Sequence, residues 1–449
     1  MSTPINDFVK SYSESGTVRF HMPGHKGVRL HGLEPFDITE IKGADYLFEA
    51  EGIIAQSEEQ TGRCFGSAKT LYSTEGSSLC IKTMLGIVNK CRKNKSEPML
   101  AVAPRNVHKA FINACILLDI RVSWVFPKGG SRSLCSSSVT ADDIAAAIDS
   151  CDRKPDCVYI TSPDYLGYIA DIAAVSKVCK SRGVPLICDN AHGAYLNFLE
   201  KNLHPMALGA DMCCDSAHKT LPCYTGSALL HISENAPEGY AGCAKTVMSL
   251  FASTSPSYLI MESLDRCSHY LTGDYREQLA ETVRRTSLCK ARLTALGWEL
   301  CGDEPCKITI FAPKKGLSGR DLGEVLRSNN IEPEYTDSGY VVLMVTPFNK
   351  ESDFAALEAA LAKLPVRAPL AYTADPLPVT GAAMSIRSAA FADSELIPVT
   401  AAENRICAMT VTSCQPSVPA AVSGEILTRE VIELLMRYGI GSVEVVTEK

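Results

Sequence analysis

Residues 157–219 read CVYITSPDYLGYIADIAAVSKVCKSRGVPLICDNAHGAYLNFLEKNLHPMALGADMCCDSAHK, and this stretch decides the fold. It holds three short apolar runs, CVYITSP (157–163), PLICD (185–189) and DMCCDS (211–216), with IAAVSKVCKSRG (172–183) between the first two. The intervening segment has helical spacing and stops on a glycine, a residue that readily adopts the left-handed turn closing a helix. Apolar runs without polar alternation suit strands buried on both faces, the condition of a parallel sheet covered by helices. Working outward, MLAVAP (99–104), RVSWVF (121–126) and SALLHI (227–232) read as further strands, and ADDIAAAIDSC (141–151) as a further helix. The expected fold class is therefore α/β, with a doubly wound, mostly parallel sheet in a large domain and smaller α+β domains after it.

The 449 residues exceed one small core, and four segments are expected. Residues 1–67 form an N-terminal segment and 68–265 the large domain. Residues 266–365 hold a helical connector and a small α/β domain, in which KITIFAP and YVVLMVTP are strands; the helical pattern itself starts near 257 and runs to 297. The C-terminal domain, 366–449, opens within the Pro- and Ala-rich linker LPVRAPLAYTADPLPVTG (364–381), and a short unit follows at 382–449. Lys plus Arg number 44 against 51 Asp plus Glu, a mildly acidic balance that speaks against nucleic acid or an anionic membrane as a partner. No apolar run is long enough to span a bilayer, and MSTPINDFVKSY has no signal-type apolar region, so a cytoplasmic location is expected. The 19 cysteines are scattered, and several lie within apolar runs, as reduced core residues would.

In open α/β sheets, ligands bind beyond the carboxyl ends of the strands. Past the expected strands lie His108, Ser162, Asp189 with His192, and Ser216 with His218 and Lys219. This set suits pyridoxal 5′-phosphate (PLP). An amine, Lys219, would form a Schiff base with the aldehyde. A buried carboxylate, Asp189, would keep the pyridine nitrogen protonated. His108 would stack on the ring, and Gly76, Ser77 and Ser78 at a helix start would meet the phosphate. Singly, each has a plainer reading: a turn Asp, a surface Lys, a capping Ser. Their order along the chain shifts the balance. His21 and His25 are four apart, but Pro23 and Gly24 intervene, so no metal site is expected.

FHMPGHKG (20–27), FDITE (36–40), EGIIAQSE (51–58), RNVHKA (105–110), TSPDYLGYIADI (161–172), DNAHGA (189–194), SAHKTLP (216–222) and TSPSYLIMESLD (254–265) resemble the bacterial Orn/Lys/Arg decarboxylase family in its short form. The tail motifs RICA (405–408), QPSVP (415–419) and SGE (423–425) extend the likeness over nearly the whole chain. The resemblance implies the type I, aspartate aminotransferase-like PLP fold and a homodimer or higher oligomer with shared active sites. It makes Lys219 the Schiff-base lysine and Asp189 the partner of the ring nitrogen. It puts His192 beside Asp189 under the ring and His108 on the ring face. Ser77, Ser78, Ser216 and His218 would face the phosphate, Thr254 and Ser255 the partner's cofactor, and His25 and Lys26 the entrance. His218 or Lys219 would return the proton to the substrate carbon. Two departures stand out: Asn190 replaces the family's common Glu, and STEGSS replaces an Asn-Gly-Thr type of phosphate loop.

The implied reaction is decarboxylation of a basic amino acid to a polyamine precursor, with arginine favoured over lysine or ornithine. The distal cation needs a carboxylate, for which Glu334, Asp337 and Glu425 are candidates, Glu425 favoured by the tail motif. Rival readings are an aminotransferase or aldolase-like lyase on the same fold, with Arg387 or Arg405 binding the α-carboxylate, and a catalytically silent PLP-binding relative.

Overall fold

The computed structural model describes residues 1–126, 133–136, 138–365, 367–372, 379–412 and 418–447. Residues 366 and 373–378 of the expected linker, and 415–417 of the tail motif, lie outside the described residues.

Seven strands form one sheet: β1 (Lys69–Ser73), β2 (Met99–Pro104), β3 (Ile120–Val125), β4 (Cys157–Thr161), β5 (Leu186–Asp189), β6 (Met212–Asp215) and β7 (Ala228–Ile232). Their spatial order is β1-β7-β6-β5-β4-β2-β3. Every residue of β2, β5, β6 and β7 is buried, which is why these segments read as unbroken apolar runs. The helix expected at 172–183 spans Ile172–Arg182, and Gly183 closes it at φ +59°.

Two details differ from expectation. β7 runs antiparallel to both β6 and β1, whereas β5 and β6 pair in parallel. Residues 216–227, which join β6 to β7, hold only the single helical turn Ala217–Thr220 and not the helix that usually makes a parallel crossover. β1 escaped the sequence reading because KTLYS carries buried polar groups. Thr70 is satisfied through tertiary structure, its Oγ1 lying 2.8 Å from His231 Nδ1.

The chain groups into two compact units. The first comprises Met1–Ala101, Cys151–Ile160 and Ile172–Arg276; the second comprises Val102–Ser150, Thr161–Asp171 and Glu277–Lys449. The expected single helical run over 257–297 is two helices, Tyr258–Leu271 and Tyr275–Ala295, interrupted around Gly273.

Within the second unit, β8 (Glu299–Cys301), β9 (Lys307–Phe311), β10 (Tyr335–Thr336) and β11 (Tyr340–Met344) form a sheet in the order β10-β11-β9-β8. Ile308, Ile310 and Val341 of this sheet share a core with Leu322, Leu326, Phe354 and Leu357 of helices Gly319–Ser328 and Glu351–Ala362. Each such buried side chain contributes about 1.5–3 kcal/mol of transfer free energy. The C-terminal part pairs β12 (Ser394–Pro398) with β15 (Ser442–Val446), and β13 (Val411–Thr412) with β14 (Pro419–Ala421). Its core includes Val431, Leu434 and Leu435 of helix Arg429–Arg437.

Candidate active site

Strand register sets the site in the first unit. Asp189 at the end of β5 lies opposite Cys214, one residue before the end of β6. Ser73 at the end of β1 and Asp215 at the end of β6 face adjacent residues of β7, Ala228 and Leu229. The carboxyl ends of β1, β5 and β6 thus share one edge. The chain leaving them carries Ser77, His192 and, after β6, Ser216, His218 and Lys219.

Lys219 rides on a single helical turn, Ala217–Thr220, which stops before Pro222. Its Nζ lies 3.0 Å from His192 Nε2. Asp189 is 2 % exposed. It accepts hydrogen bonds from the Tyr159 hydroxyl at 3.0 Å and the Ala191 amide at 3.2 Å, with the Cys214 thiol at 3.8 Å. These partners are neutral. Among the described residues, no protein cation pairs with this buried carboxylate, and isolated buried carboxylates are costly. The protonated ring nitrogen of PLP would supply the absent charge, so the donor set fits that group. Burial beside Asp189 pushes the Tyr159 phenol well above its ordinary value, keeping it a donor.

The residues expected at the phosphate, Ser77, Ser78 and Ser216, gather at one helix start. Ser216 Oγ donates to Ser77 Oγ at 2.8 Å. Helix Gly76–Cys91 opens at Gly76, φ +70°, whose amide donates to Gly226 O at 2.7 Å. Glu75, at its cap position, makes no side-chain capping bond, so the first-turn amides are presented as an anion site. Ser78 is half-buried in that turn. Glu75 instead accepts from the Ser253 amide at 2.7 Å, which ties down the segment carrying Thr254 and Ser255, both exposed. His218 Nδ1 lies 2.8 Å from Ser227 O. A carbonyl only accepts, so Nδ1 carries the proton, and in neutral His218 the lone pair sits on Nε2.

His25 is held by Asp37 at 3.2 Å and by the Gly27 amide at 3.0 Å, and Lys26 is exposed, with Nζ on His21 O at 2.5 Å. His21 Nε2 lies 2.6 Å from the Tyr12 hydroxyl.

Two of the cofactor-site candidates, His108 and Ser162, lie in the second unit, as do all three distal-cation candidates. His108 caps helix Lys109–Leu118, its Nδ1 accepting from the Ala110 amide at 3.1 Å, which orients the ring. Ser162 is buried, and its hydroxyl accepts from the Ala170 amide at 3.0 Å. The distal-cation candidates divide. Glu425 is buried with Arg105 at 3.0 Å, and it also accepts from the Val422 amide at 2.7 Å. Asp337 accepts from Tyr335 and from the Gly339 and Tyr340 amides, closing a turn. Glu334 is exposed and accepts from the Tyr165 hydroxyl at 2.8 Å. The tail motif favoured Glu425; its carboxylate is engaged by a buried arginine that hydropathy and spacing gave no reason to pair with it. Arg387 donates to the carbonyls of Ile116 and Leu117, and Arg405 binds Glu395 and Val446 O, so both arginines named in the aminotransferase reading hold structural partners.

Sequence reasoning missed Tyr159, His204, Asp215 and His231. Asp215 was reachable by the strand-end rule that found Asp189. The histidines were not, since each lies at no motif spacing from it.

Comparison with known proteins gives the same assignment. The family model described as Orn/Lys/Arg decarboxylase, major domain, matches residues 3–301. The chain belongs to the Orn/Lys/Arg decarboxylase family. This membership makes it an enzyme, a decarboxylase of basic amino acids. Arginine decarboxylase of Halalkalibacterium halodurans is 28% identical over 95% of this chain and 91% of the relative. Arginine decarboxylase of Bacillus subtilis is 28% identical over 97% of this chain and 93% of the relative. Among solved structures, the Francisella novicida lysine decarboxylase superposes with a TM-score of 0.83 at 16% identity, covering 99% of this chain and 81% of that one. The family fold is the type I fold of PLP enzymes, and this Orn/Lys/Arg decarboxylase family member carries it. No helix among the described residues is long and apolar enough to cross a membrane.

Proposed function

We propose that this chain decarboxylates arginine with PLP bound at Lys219. The observation that carries the reading is Asp189: a buried carboxylate with only neutral partners, on the same strand edge as a lysine and an open helix start. The arginine preference rests on relatives that match nearly the full chain and are named arginine decarboxylases.

PLP, when bound, supplies an electron sink for the pair released as the bond from Cα to the carboxylate breaks. The chain does the rest. Asp189 holds the ring cation, and Tyr159 and the Ala191 amide hold Asp189. Ser77, Ser216 and the first-turn amides of helix Gly76–Cys91 bind phosphate. Lys219 would provide the amine that anchors the cofactor. After CO2 leaves, Cα needs a proton, which Lys219 Nζ or His218 Nε2 delivers. His25 and Lys26 would stand at the entrance. The protein acts as a homodimer in the cytoplasm, with Thr254 and Ser255 reaching the partner's cofactor and residues 1–67 contributing to the shared site.

Lys219→Ala tests this. The variant should lose the visible absorbance of the PLP-loaded protein and all amine formation from arginine, lysine and ornithine, read by mass. Wild type should release CO2 without a keto acid. Cofactor bound covalently at another lysine would overturn the assignment.

A further inference from the structure

Behind the Lys219 turn, the first unit buries a second acidic centre that the reaction does not use. Asp215, His204 and His231 are all 0 % exposed. Asp215 Oδ1 accepts from Asn190 Nδ2 at 2.6 Å. Asp215 Oδ2 lies 3.0 Å from His204 Nε2 and 3.2 Å from His231 Nε2. His231 Nδ1 is 2.8 Å from Thr70 Oγ1, and the Phe65 ring stacks on it at 4.5 Å.

Two histidines and an aspartate with ligand atoms within 4.8 Å of one another have the composition of a metal site. The tautomer of His204 argues against one. The Met206 amide donates to His204 Nδ1 at 3.3 Å, so the lone pair sits there and the proton on Nε2. Nε2 is the nitrogen aimed at Asp215. Metal on Nε2 would require Nδ1–H facing another N–H. The cluster is therefore a hydrogen-bonded clamp on a carboxylate. Burial would raise the Asp215 carboxyl, but the pull of His204 and the hydrogen bonds from both histidines outweigh it and hold the group well below the usual carboxylate range.

The clamp also accounts for Asn190, the departure from the family's common Glu. Asn190 directly follows Asp189, and its backbone amide donates to Cys214 O at 2.9 Å. A glutamate there would set a second carboxylate against Asp215 in a buried site, where like charges repel strongly. The Asn amide supplies a donor instead, so residues 190 and 215 form a matched pair.

We infer that Asp215, clamped by Asn190, His204 and His231, is a positioning residue that fixes the β5 end carrying Asp189 relative to the β6 end carrying Ser216 and Lys219. The inference rests on the PLP reading, because the spacing it sets is that between ring-nitrogen partner and anchoring amine.

The test uses the full chain with D215N, N190D and the double variant N190D/D215N. Titration with PLP should show a Kd raised on the order of 10–100-fold in D215N, as expected for losing a charged hydrogen bond. N190D should be at least as damaged, and adding D215N should recover most of the N190D loss by removing the repulsion. The pH midpoint of the visible band should move in D215N. A lowered apo melting temperature with unchanged Kd and midpoint would reduce Asp215 to a merely structural role and overturn the inference. So would a double variant no better than N190D. Stoichiometric metal in wild type, measured by elemental analysis and lost in D215N, would overturn it as well. Should D215N fail to fold, N190A removes a single donor and must still raise the Kd several-fold. Failure of wild type to take up PLP at all would instead defeat the proposed function, a distinguishable result.

Discussion

Asp189 in the first unit and Glu425 in the second are both buried carboxylates at strand or turn ends, yet their settings are opposite. Glu425 meets the guanidinium of Arg105, itself 0 % exposed and set over the Trp124 ring at 5.1 Å. Asp189 meets a phenol, an amide and a thiol. A carboxylate whose charge is already balanced inside the protein holds structure together. Asp189, by contrast, has only neutral donors among its hydrogen-bond partners, which suits the ring cation proposed for it. In the sequence Asp189 was singled out by its place at a strand end and Glu425 by the tail motif; in the structure their partners differ.

The contrast can be broken at its strongest point first. Removing one member of a buried ion pair strands the other, so Glu425→Ala should cost about 3–5 kcal/mol of unfolding free energy in urea melts. Replacing both Arg105 and Glu425 with apolar residues should recover most of that loss. A variant E425A of undiminished stability but raised KM would return Glu425 to the substrate. Next, Asp189→Asn keeps shape and removes charge. Turnover should fall on the order of 10²–10³-fold, with little change in apo melting temperature. Were Asp189 structural in the manner of Glu425, stability would fall as well. A smaller effect is expected from Tyr159→Phe, which withdraws one hydrogen bond from the charged carboxylate. PLP affinity should drop by about 10–100-fold, corresponding to roughly 1.5–3 kcal/mol.

The smallest effect concerns pH and asks whether the first unit hides a cation after all. Burial holds the His231 imidazole below its ordinary value, against the pull of Asp215. The unfolded chain then takes up this proton at higher pH than the folded one. The stability contribution is full above about pH 6.5 and is lost as pH falls below it, with a slope of at most about 1.4 kcal/mol per pH unit. Urea midpoints between pH 7.5 and 5.5 should decline, and less so in H231Q. A rise toward low pH would mean that His231 is a buried cation.

Much of the fold was legible because the physics that buries β2, β4, β5, β6 and β7 acts locally on hydropathy. The exceptions have identifiable causes. β1 hides because Thr70 and Ser73 are buried polar residues whose partners, His231 and Gly76, lie elsewhere in the chain or in the following turn. The break at Gly273 in an otherwise helical run was masked by strong periodicity on either side. At the site, Asp189, His192, Ser216, His218 and Lys219 were readable from the strand-end rule, since strand ends can be located from composition alone. Tyr159 was not, because its role depends on which strand lies beside β5.

The sequence by itself determined the α/β class, the chain positions of the strand ends and the residue types gathered there, since hydrophobic periodicity and motif order are properties of the chain. Only the tertiary structure decided which carboxylate is neutralised by a protein cation and which is not, and that Asn190 answers Asp215. Hydrogen bonds and ion pairs depend on distances of a few ångströms between residues far apart in sequence, such as Arg105 and Glu425 or His204 and Asp215 with His231. Spacing along a chain carries no record of those distances.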